Sequence, residues 1–347
     1  MRHGDRRPGV AQRPGGPAAR PRARAALRAR DRRRAGLRAR RDGRRAGAPA
    51  RPRHRRPRGA RPRPLSGRAP AAFGPADARR ARGRRARRQL RALLKAADLD
   101  ILRLGAGPRV VLVHGSVVDA RRTWRHQLAL AERWSVVLPN RPGFAGSPPL
   151  PRGDFAAEAP LIAELLGDGA HLVGHSYGAV IALLAAAARP DAVRSLAVSE
   201  PGSLRVAAGH PAVDEVIAHG EELYRRRASL SPGAFLRQFR TGVHSTHETP
   251  DALPDWLEHG ARLVMEERPP WEADIPVERL ASTPFPKLVL SGGHSPAFEA
   301  VCDALAERIG ARRAVVSGRG HTIPATGGAY NACLEEFLLG CERLLTG

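Results

Sequence analysis

Cysteine is scarce. The chain of 347 residues has three, Cys302, Cys333 and Cys341, with no C-x-x-C spacing and no pairing pattern. Their scarcity argues against a disulfide framework and a cysteine-based metal site, and all three fit small apolar positions in helices of a protein kept in a reducing cytoplasm. Long apolar runs are also missing. The best, Val180 to Ala188, is too short to cross a bilayer, so no membrane partner is expected. Aromatic residues make up only 4% of the chain, and Phe73 alone falls in the first 88 residues.

Acid is the other shortage, and it is local. Residues 1–88 hold 32 arginines, no lysine and four acids, Asp5, Asp31, Asp42 and Asp77, whereas the remainder carries 27 basic and 29 acidic side chains. The formal net charge of +26 therefore describes the leader and not the rest of the chain. A stretch of Arg, Pro, Ala and Gly cannot bury enough surface to offset its chain entropy, so residues 1–88 are expected to be disordered. A nucleic-acid arm would gain affinity by counterion release, but this one lacks stacking aromatics and a folded reader, and nucleic acid is not an expected partner. A secretory signal needs an apolar core, and an organellar presequence is serine-rich and amphipathic; the leader is neither. What remains is a real disordered tail, or a start codon set too far upstream in a GC-rich gene. Either way, function is expected after residue 88.

From there the pattern becomes regular. A short basic helix fits Gln89 to Ala97 and an edge strand fits Leu99 to Leu104. Arg109–Val113, Ser135–Pro139, Ala170 onward, Val193–Ser199, Lys287–Ser291 and Arg313–Val316 read as buried strands. Helices are expected over Thr123–Arg133, Phe155–Leu166, Tyr177 to Ala188, Pro296–Ile309 and Ala329–Leu345. Strands alternating with helices imply crossover connections, which place the strands parallel in one central sheet, helices on both faces, and sites at the strands' carboxyl ends. Residues 203–280 interrupt the rhythm. They are helical over Val213–Arg227, Ala234–Arg240 and Asp255–Glu267 and read as a cap over the sheet's active edge, dividing the α/β core into 89–202 and 281–347.

The stretch that carries chemistry is Gly174-His175-Ser176-Tyr177-Gly178, between an apolar strand and an alanine-rich helix. A serine at the apex of so sharp a turn needs neighbours without side chains, which Gly174 and Gly178 supply. The N–H of the next residue, Tyr177, then faces the position where negative charge develops, and the helix adds its positive end. Serine is a weak nucleophile until an imidazole takes its proton. Of the histidines, His321 sits in a glycine-rich turn past the last strand, whereas His114 and His175 are expected to shape their own loops. His244 and His247, with Glu248, have a spacing that could hold a metal, but they lie in the cap without a third ligand, so neither metal nor cofactor is expected.

These residues resemble the α/β-hydrolase superfamily over 99–345. The resemblance rests on His114-Gly115, Arg141-Pro142-Gly143-Phe144-Ala145-Gly146-Ser147, Gly174 to Gly178, and Gly320-His321. It implies an α/β fold with a mostly parallel central sheet flanked by helices and a helical cap insertion, with Ser176 as nucleophile and His321 as base. It also implies an oxyanion hole from the backbone of Tyr177 and Ser116, with Val117 as the alternative to Ser116. Most relatives keep the triad acid after the strand that here is Lys287–Ser291, yet Gly292-Gly293-His294-Ser295 has no carboxylate. Glu200, at the end of the preceding strand as in some relatives, is the expected acid, with Asp303 and Glu299 as alternatives. Asn140 stands where many relatives carry aspartate and is expected to build its loop. A serine at the elbow implies acyl transfer to water on an ester, thioester, amide or carbon–carbon ketone of a small molecule. Trp256, Trp271, Leu223, Phe235 and Phe239 are candidates to line its pocket. The alternative is a non-catalytic small-molecule binding protein on the same fold.

Overall fold

The computed structural model describes residues 94–346, so the expectations placed on residues 1–88, and on most of the basic helix from Gln89, lie outside the described residues. Within them, Ala96–Asp98 forms a single 3₁₀ turn. The strands are β1 (Ile101–Leu104), β2 (Arg109–Val113), β3 (Ser135–Pro139), β4 (Ala170–His175), β5 (Val193–Ser199), β6 (Lys287–Ser291) and β7 (Arg312–Val315). The helices are α1 (Ala120–Thr123), α2 (Phe155–Leu165), α3 (Tyr177–Ala188), α4 (Pro211–Arg226), α5 (Pro232–Gly242), α6 (Asp255–Glu266), α7 (Val277–Ala281), α8 (Pro296–Ile309) and α9 (Gly328–Thr346).

The sheet runs β1-β3-β2-β4-β5-β6-β7, and the pairings from β3 to β7 are parallel. β1 is the exception that leaves the sheet mostly parallel, because it pairs antiparallel with β3. Only residues 105–108 join β1 to β2, too few for a crossover, so the chain has to reverse. Gly105 makes the reversal possible: its φ is +72°, and a Cβ there would overlap the carbonyl oxygens of Ala131 and Trp134.

Successive strand residues point to opposite faces, and the two cores separate accordingly. Val111, Val113, Leu172, Leu196, Val198 and Val289 meet α2, α3 and α8 on one side. Val110, Leu112, Val173, Ala197, Leu288 and Leu290 meet Trp124, Trp134 and α9 on the other. Each fully buried aliphatic side chain contributes roughly 1.5–3 kcal/mol of transfer free energy. Helix α3 is nearly all alanine and branched aliphatics and is buried on almost every side, which lets it lie directly behind the strand that precedes it.

Two local expectations give way to tertiary contacts. Thr123–Arg133 is not one helix but α1 followed by a 3₁₀ stretch, Gln127–Glu132. Buried Gln127 donates to the Pro324 carbonyl at 3.0 Å and to Asn331 Oδ1 at 2.7 Å, bonds to the distant α9 region that fix its position. The last strand begins at Arg312, one residue earlier than its apolar pattern suggested. Within the helical segment 203–280, Ala273, Ile275, Val277 and Leu280 join the core on the α3 side of the sheet. No helix among the described residues is long and apolar enough to cross a membrane.

Candidate active site

The carboxyl ends of the parallel strands gather the polar residues. β4 ends at His175, and Ser176 turns the chain with φ +55° and ψ −118° before α3 begins. The turn is held by the Ser176 N–H donating to the Ser199 carbonyl at 2.9 Å. The two flanking glycines are sterically required. A Cβ on Gly174 would lie 2.6 Å from the Ala179 Cα, and one on Gly178 would overlap the carbonyl oxygens of Val113 and His114. Tyr177 opens α3, so its N–H has no partner within the helix.

Ser176 Oγ–H donates to His321 Nε2 at 2.9 Å, and His321 Nδ1–H donates to Glu200 Oε2 at 3.2 Å. Glu200 Oε1 accepts the Gly292 N–H at 2.5 Å. Glu200 is fully buried and, like Ser176, adopts a positive φ, +48°. Val117 and His244 add two more non-glycine positive-φ residues near the site, the kind of backbone strain that concentrates where side chains must be held against local preference. Burial pushes the His321 imidazole down to about 3, with His244 acting in the same direction, so the ring is neutral and able to accept a proton. Burial pushes the Glu200 carboxyl up, against the pull of His294 and the Gly292 N–H, to about 7.

The alternative acids point elsewhere. Glu299 binds Ser291 Oγ, the Gly293 N–H and Arg313, and Asp303 binds Arg313 at 2.9 Å. His175 and His114 act as struts. His175 Nε2–H donates to the carbonyl of His321 at 2.8 Å. His114 Nε2 accepts the Arg141 N–H at 2.9 Å, which leaves Nδ1–H to donate to the Gly115 carbonyl. Asn140 ties its loop to its neighbours: Oδ1 accepts the Ala120 N–H and Nδ2 donates to Asp100. Of the cap's histidine pair, His244 binds Ser295 Oγ at 2.6 Å. Among the described residues, Glu200, His294 and His321 are the group whose ligand atoms converge within metal-binding distances. The free cysteines stand apart from the Ser176 contacts, Cys302 and Cys341 buried and Cys333 half-buried.

Ser116 reaches the site through Gly115, where a Cβ would sit 3.0 Å from the Ser176 Cβ. Beneath Ser116 lies a charge cluster that no local pattern announces. Buried Arg141 donates to Glu158 at 2.7 and 3.1 Å, to Glu267 at 2.7 Å and to the Gly115 carbonyl at 2.9 Å, with its guanidinium 4.2 Å from the Tyr177 ring. Ser116 Oγ–H donates to Glu267 at 2.5 Å. Burial works against the Arg141 charge, but Glu158 and Glu267 outweigh it, and the guanidinium is driven further above its ordinary range. Burial moves Glu267 upward, against Arg141 and the Ser116 hydroxyl. Arg141 was visible as part of a loop motif, but Glu158 and Glu267 carried no signal in the sequence.

Ser116, Ser176, Tyr177 and His321 open onto a narrow cavity of about 40 Å³ walled by Leu204, Leu223, Phe239, Trp271 and Phe298. Two of the candidate lining residues are elsewhere. Phe235 is fully buried against Tyr224, and Trp256 is 43% exposed beneath the Arg122 guanidinium.

A profile of the Alpha/beta hydrolase family matches residues 110–330. Among curated proteins, the chain is 42% identical over 101 residues to a pimeloyl-[acyl-carrier protein] methyl ester esterase of Chromobacterium violaceum, covering 29% of this chain and 40% of that protein. It is 33% identical over 147 residues to lipase LipV of Mycobacterium tuberculosis, covering 40% and 56%. The matches thus span less than two thirds of these relatives. Among solved structures, an α/β hydrolase from Sphaerobacter thermophilus superposes with a TM-score of 0.52 at 28% identity, over 69% of this chain and 96% of that one. Order of strands, a serine elbow on β4 and a profile match over most of the described residues agree: the chain belongs to the α/β-hydrolase family.

Proposed function

We propose that the chain is a serine hydrolase that cleaves an ester, thioester or related acyl bond of a small molecule through an acyl-enzyme on Ser176. One observation carries the proposal: the unbroken series from Ser176 Oγ to His321 Nε2, 2.9 Å, and from His321 Nδ1 to Glu200 Oε2, 3.2 Å.

In this reading Ser176 Oγ adds to the acyl carbon while its proton passes to His321 Nε2. The carbonyl electron pair moves onto oxygen, where the backbone N–H groups of Tyr177 and Ser116 form the oxyanion hole. Collapse of the tetrahedral intermediate expels the alcohol or thiol, which leaves with the proton from Nε2. Water then adds to the acyl-enzyme, His321 takes its proton, and Ser176 departs with that proton restored. Glu200 keeps the Nδ1–H oriented and offsets the imidazolium charge. Residues 203–272 act as the cap, and their apolar walls favour a small uncharged group on one side of the scissile bond. The esterase and lipase among the relatives support acyl chemistry, as does a serine at the elbow.

A fluorophosphonate probe tests the proposal directly. Labelling at Ser176, abolished in Ser176→Ala, together with turnover of short-chain aryl esters, is the expected result. A folded protein that neither labels nor hydrolyses any ester or thioester of a panel would favour the non-catalytic binding reading.

A further inference from the structure

His294 is the residue at the site that neither the motifs nor the proposed reaction employs. It sits in the loop after β6, with 12% of its side chain exposed, and both ring nitrogens are buried without a well-formed hydrogen bond, although a backbone group of Val243 favours its charged form. No side chain hydrogen-bonds this ring, and a buried imidazole so placed calls for a reason. Its Nδ1 stands 3.7 Å from Glu200 Oε1, beyond hydrogen-bond distance, while the other oxygen of Glu200 lies 3.2 Å from His321 Nδ1. All three groups present ligand atoms within 4.8 Å of one another.

We propose that Glu200, His294 and His321 form a binding site for a zinc-like divalent cation, and that filling it switches off the base that serves Ser176. Two imidazoles and one carboxylate are a donor set that suits Zn²⁺, whereas Mg²⁺ and Ca²⁺ favour oxygen ligands. Metal–ligand bonds near 2.0–2.1 Å in a tetrahedron give ligand–ligand edges of about 3.3–3.4 Å. His321 Nδ1 lies 3.2 Å from Glu200 Oε2 and His294 Nδ1 lies 3.7 Å from Glu200 Oε1, so a shared cation needs the carboxylate turned to bring one oxygen to both rings. The ligand atoms of the three residues lie within 4.8 Å of one another, so the two rings must draw in to complete the tetrahedron. Arg313, whose charge acts on Glu200, is itself held by Glu299 and Asp303.

The effect on the base follows from the ring's two nitrogens. A neutral imidazole carries one proton, here on Nδ1 toward Glu200. A cation on Nδ1 displaces that proton, and the neutral ring must then carry it on Nε2. Nε2–H can only donate to Ser176 Oγ; it can no longer accept the serine proton. No proton leaves the ring overall, and no redox change is involved. The inhibitory consequence rests on the serine-hydrolase reading, but the metal site does not.

The test titrates the full chain with Co²⁺, reading its visible d–d bands, and with Zn²⁺ by calorimetry, for the wild type, His294→Ala and His294→Gln. Probe labelling and ester hydrolysis are followed in parallel. The glutamine variant keeps most of the side-chain volume should alanine disturb the loop, and circular dichroism establishes that each variant is folded. Expected are a low-coordinate Co²⁺ spectrum in the wild type that Zn²⁺ displaces, and Zn²⁺-suppressed labelling that EDTA restores. Affinity should fall in the His294 variants by more than the roughly 10- to 100-fold that loss of an outer-sphere partner costs a metal site. Equal affinity and spectrum in a folded His294 variant, or no low-coordinate Co²⁺ band in the wild type, overturns the site. A wild type that binds Co²⁺ through His294 yet never labels would retain the metal site and sink the hydrolase reading instead.

Discussion

The hydroxyl of Ser116 donates to Glu267 at 2.5 Å, joining the loop after β2 to the end of α6 across 151 positions of sequence. Glu267 shares one guanidinium, that of Arg141, with Glu158, so two buried carboxylates face a single buried cation. The oxyanion loop of the proposed reaction is thereby anchored to the covering helices by charge.

That arrangement sets a pH dependence. Burial raises the Glu267 carboxyl above its unfolded value of 4.5, so the folded state holds this proton more tightly than the unfolded chain. Its contribution to stability is complete below pH 4.5 and fades as the pH rises through the folded value. Glu267→Gln, which cannot titrate, should therefore cost more stability at pH 5 than at pH 8. Urea midpoints of both proteins across that range check it, and a cost that grows with pH would refute the sign.

Removing the cation should be severe. Arg141→Met leaves Glu158 and Glu267 buried without a counter-charge and should lower stability by about 3–5 kcal/mol. Arg141→Lys should recover little, because an ammonium cannot reproduce a fork that reaches Glu158 twice and Glu267 once. Denaturant unfolding of the two variants compares them.

Ser176 and His321 should behave as one unit. Either alanine variant should lose several orders of magnitude in kcat, and the double variant should be scarcely worse than one single. Glu200→Gln should keep the fold and lose on the order of 10³ to 10⁴ in kcat, by analogy with removal of a triad acid. Asp303→Asn should leave turnover nearly unchanged, because Asp303 faces Arg313 on the far side of the loop. Steady-state kinetics with one aryl ester covers all of these, and additive losses for Ser176 and His321 would argue against a shared proton transfer.

Gly178→Ala should destabilise by roughly 1–3 kcal/mol or more, since the new methyl overlaps two backbone carbonyls that cannot swing aside. Thermal unfolding measures it. Gly328→Ala, where the added Cβ meets nothing within 4 Å, serves as the control.

Legibility in the sequence divides along a physical line. Strands buried on both faces are short, largely apolar runs bounded by turn residues, so β2, β3, β5 and β6 could be delimited by reading alone. Ser176 could be found because its turn imposes glycines two residues away on either side, and Glu200 because it ends the strand next to β4. Arg141, Glu158 and Glu267 were out of reach as a cluster: a salt bridge spanning 126 residues leaves no periodic or local trace. The 3₁₀ stretch was missed for a related reason, since the bonds from Gln127 to Pro324 and Asn331 decide its geometry from outside. Phe235 and Phe239 were equal candidates for the pocket wall because residue type alone cannot separate them: Phe239 lines the cavity, whereas Phe235 is fully buried against Tyr224.

His175 stands beside Ser176 in the chain, and its Nε2–H clasps the carbonyl of the residue whose ring Ser176 touches. The Ser176 turn and the His321 loop thus form a clamped couple. Because the bond ties the end of β4 to the His321 loop, a displacement of one that is not shared by the other has to stretch or break it. His175→Ala should leave the average geometry in place and broaden its distribution: a loss of precision in alignment, read as a wider spread of serine–imidazole distances and not as a shift in their mean.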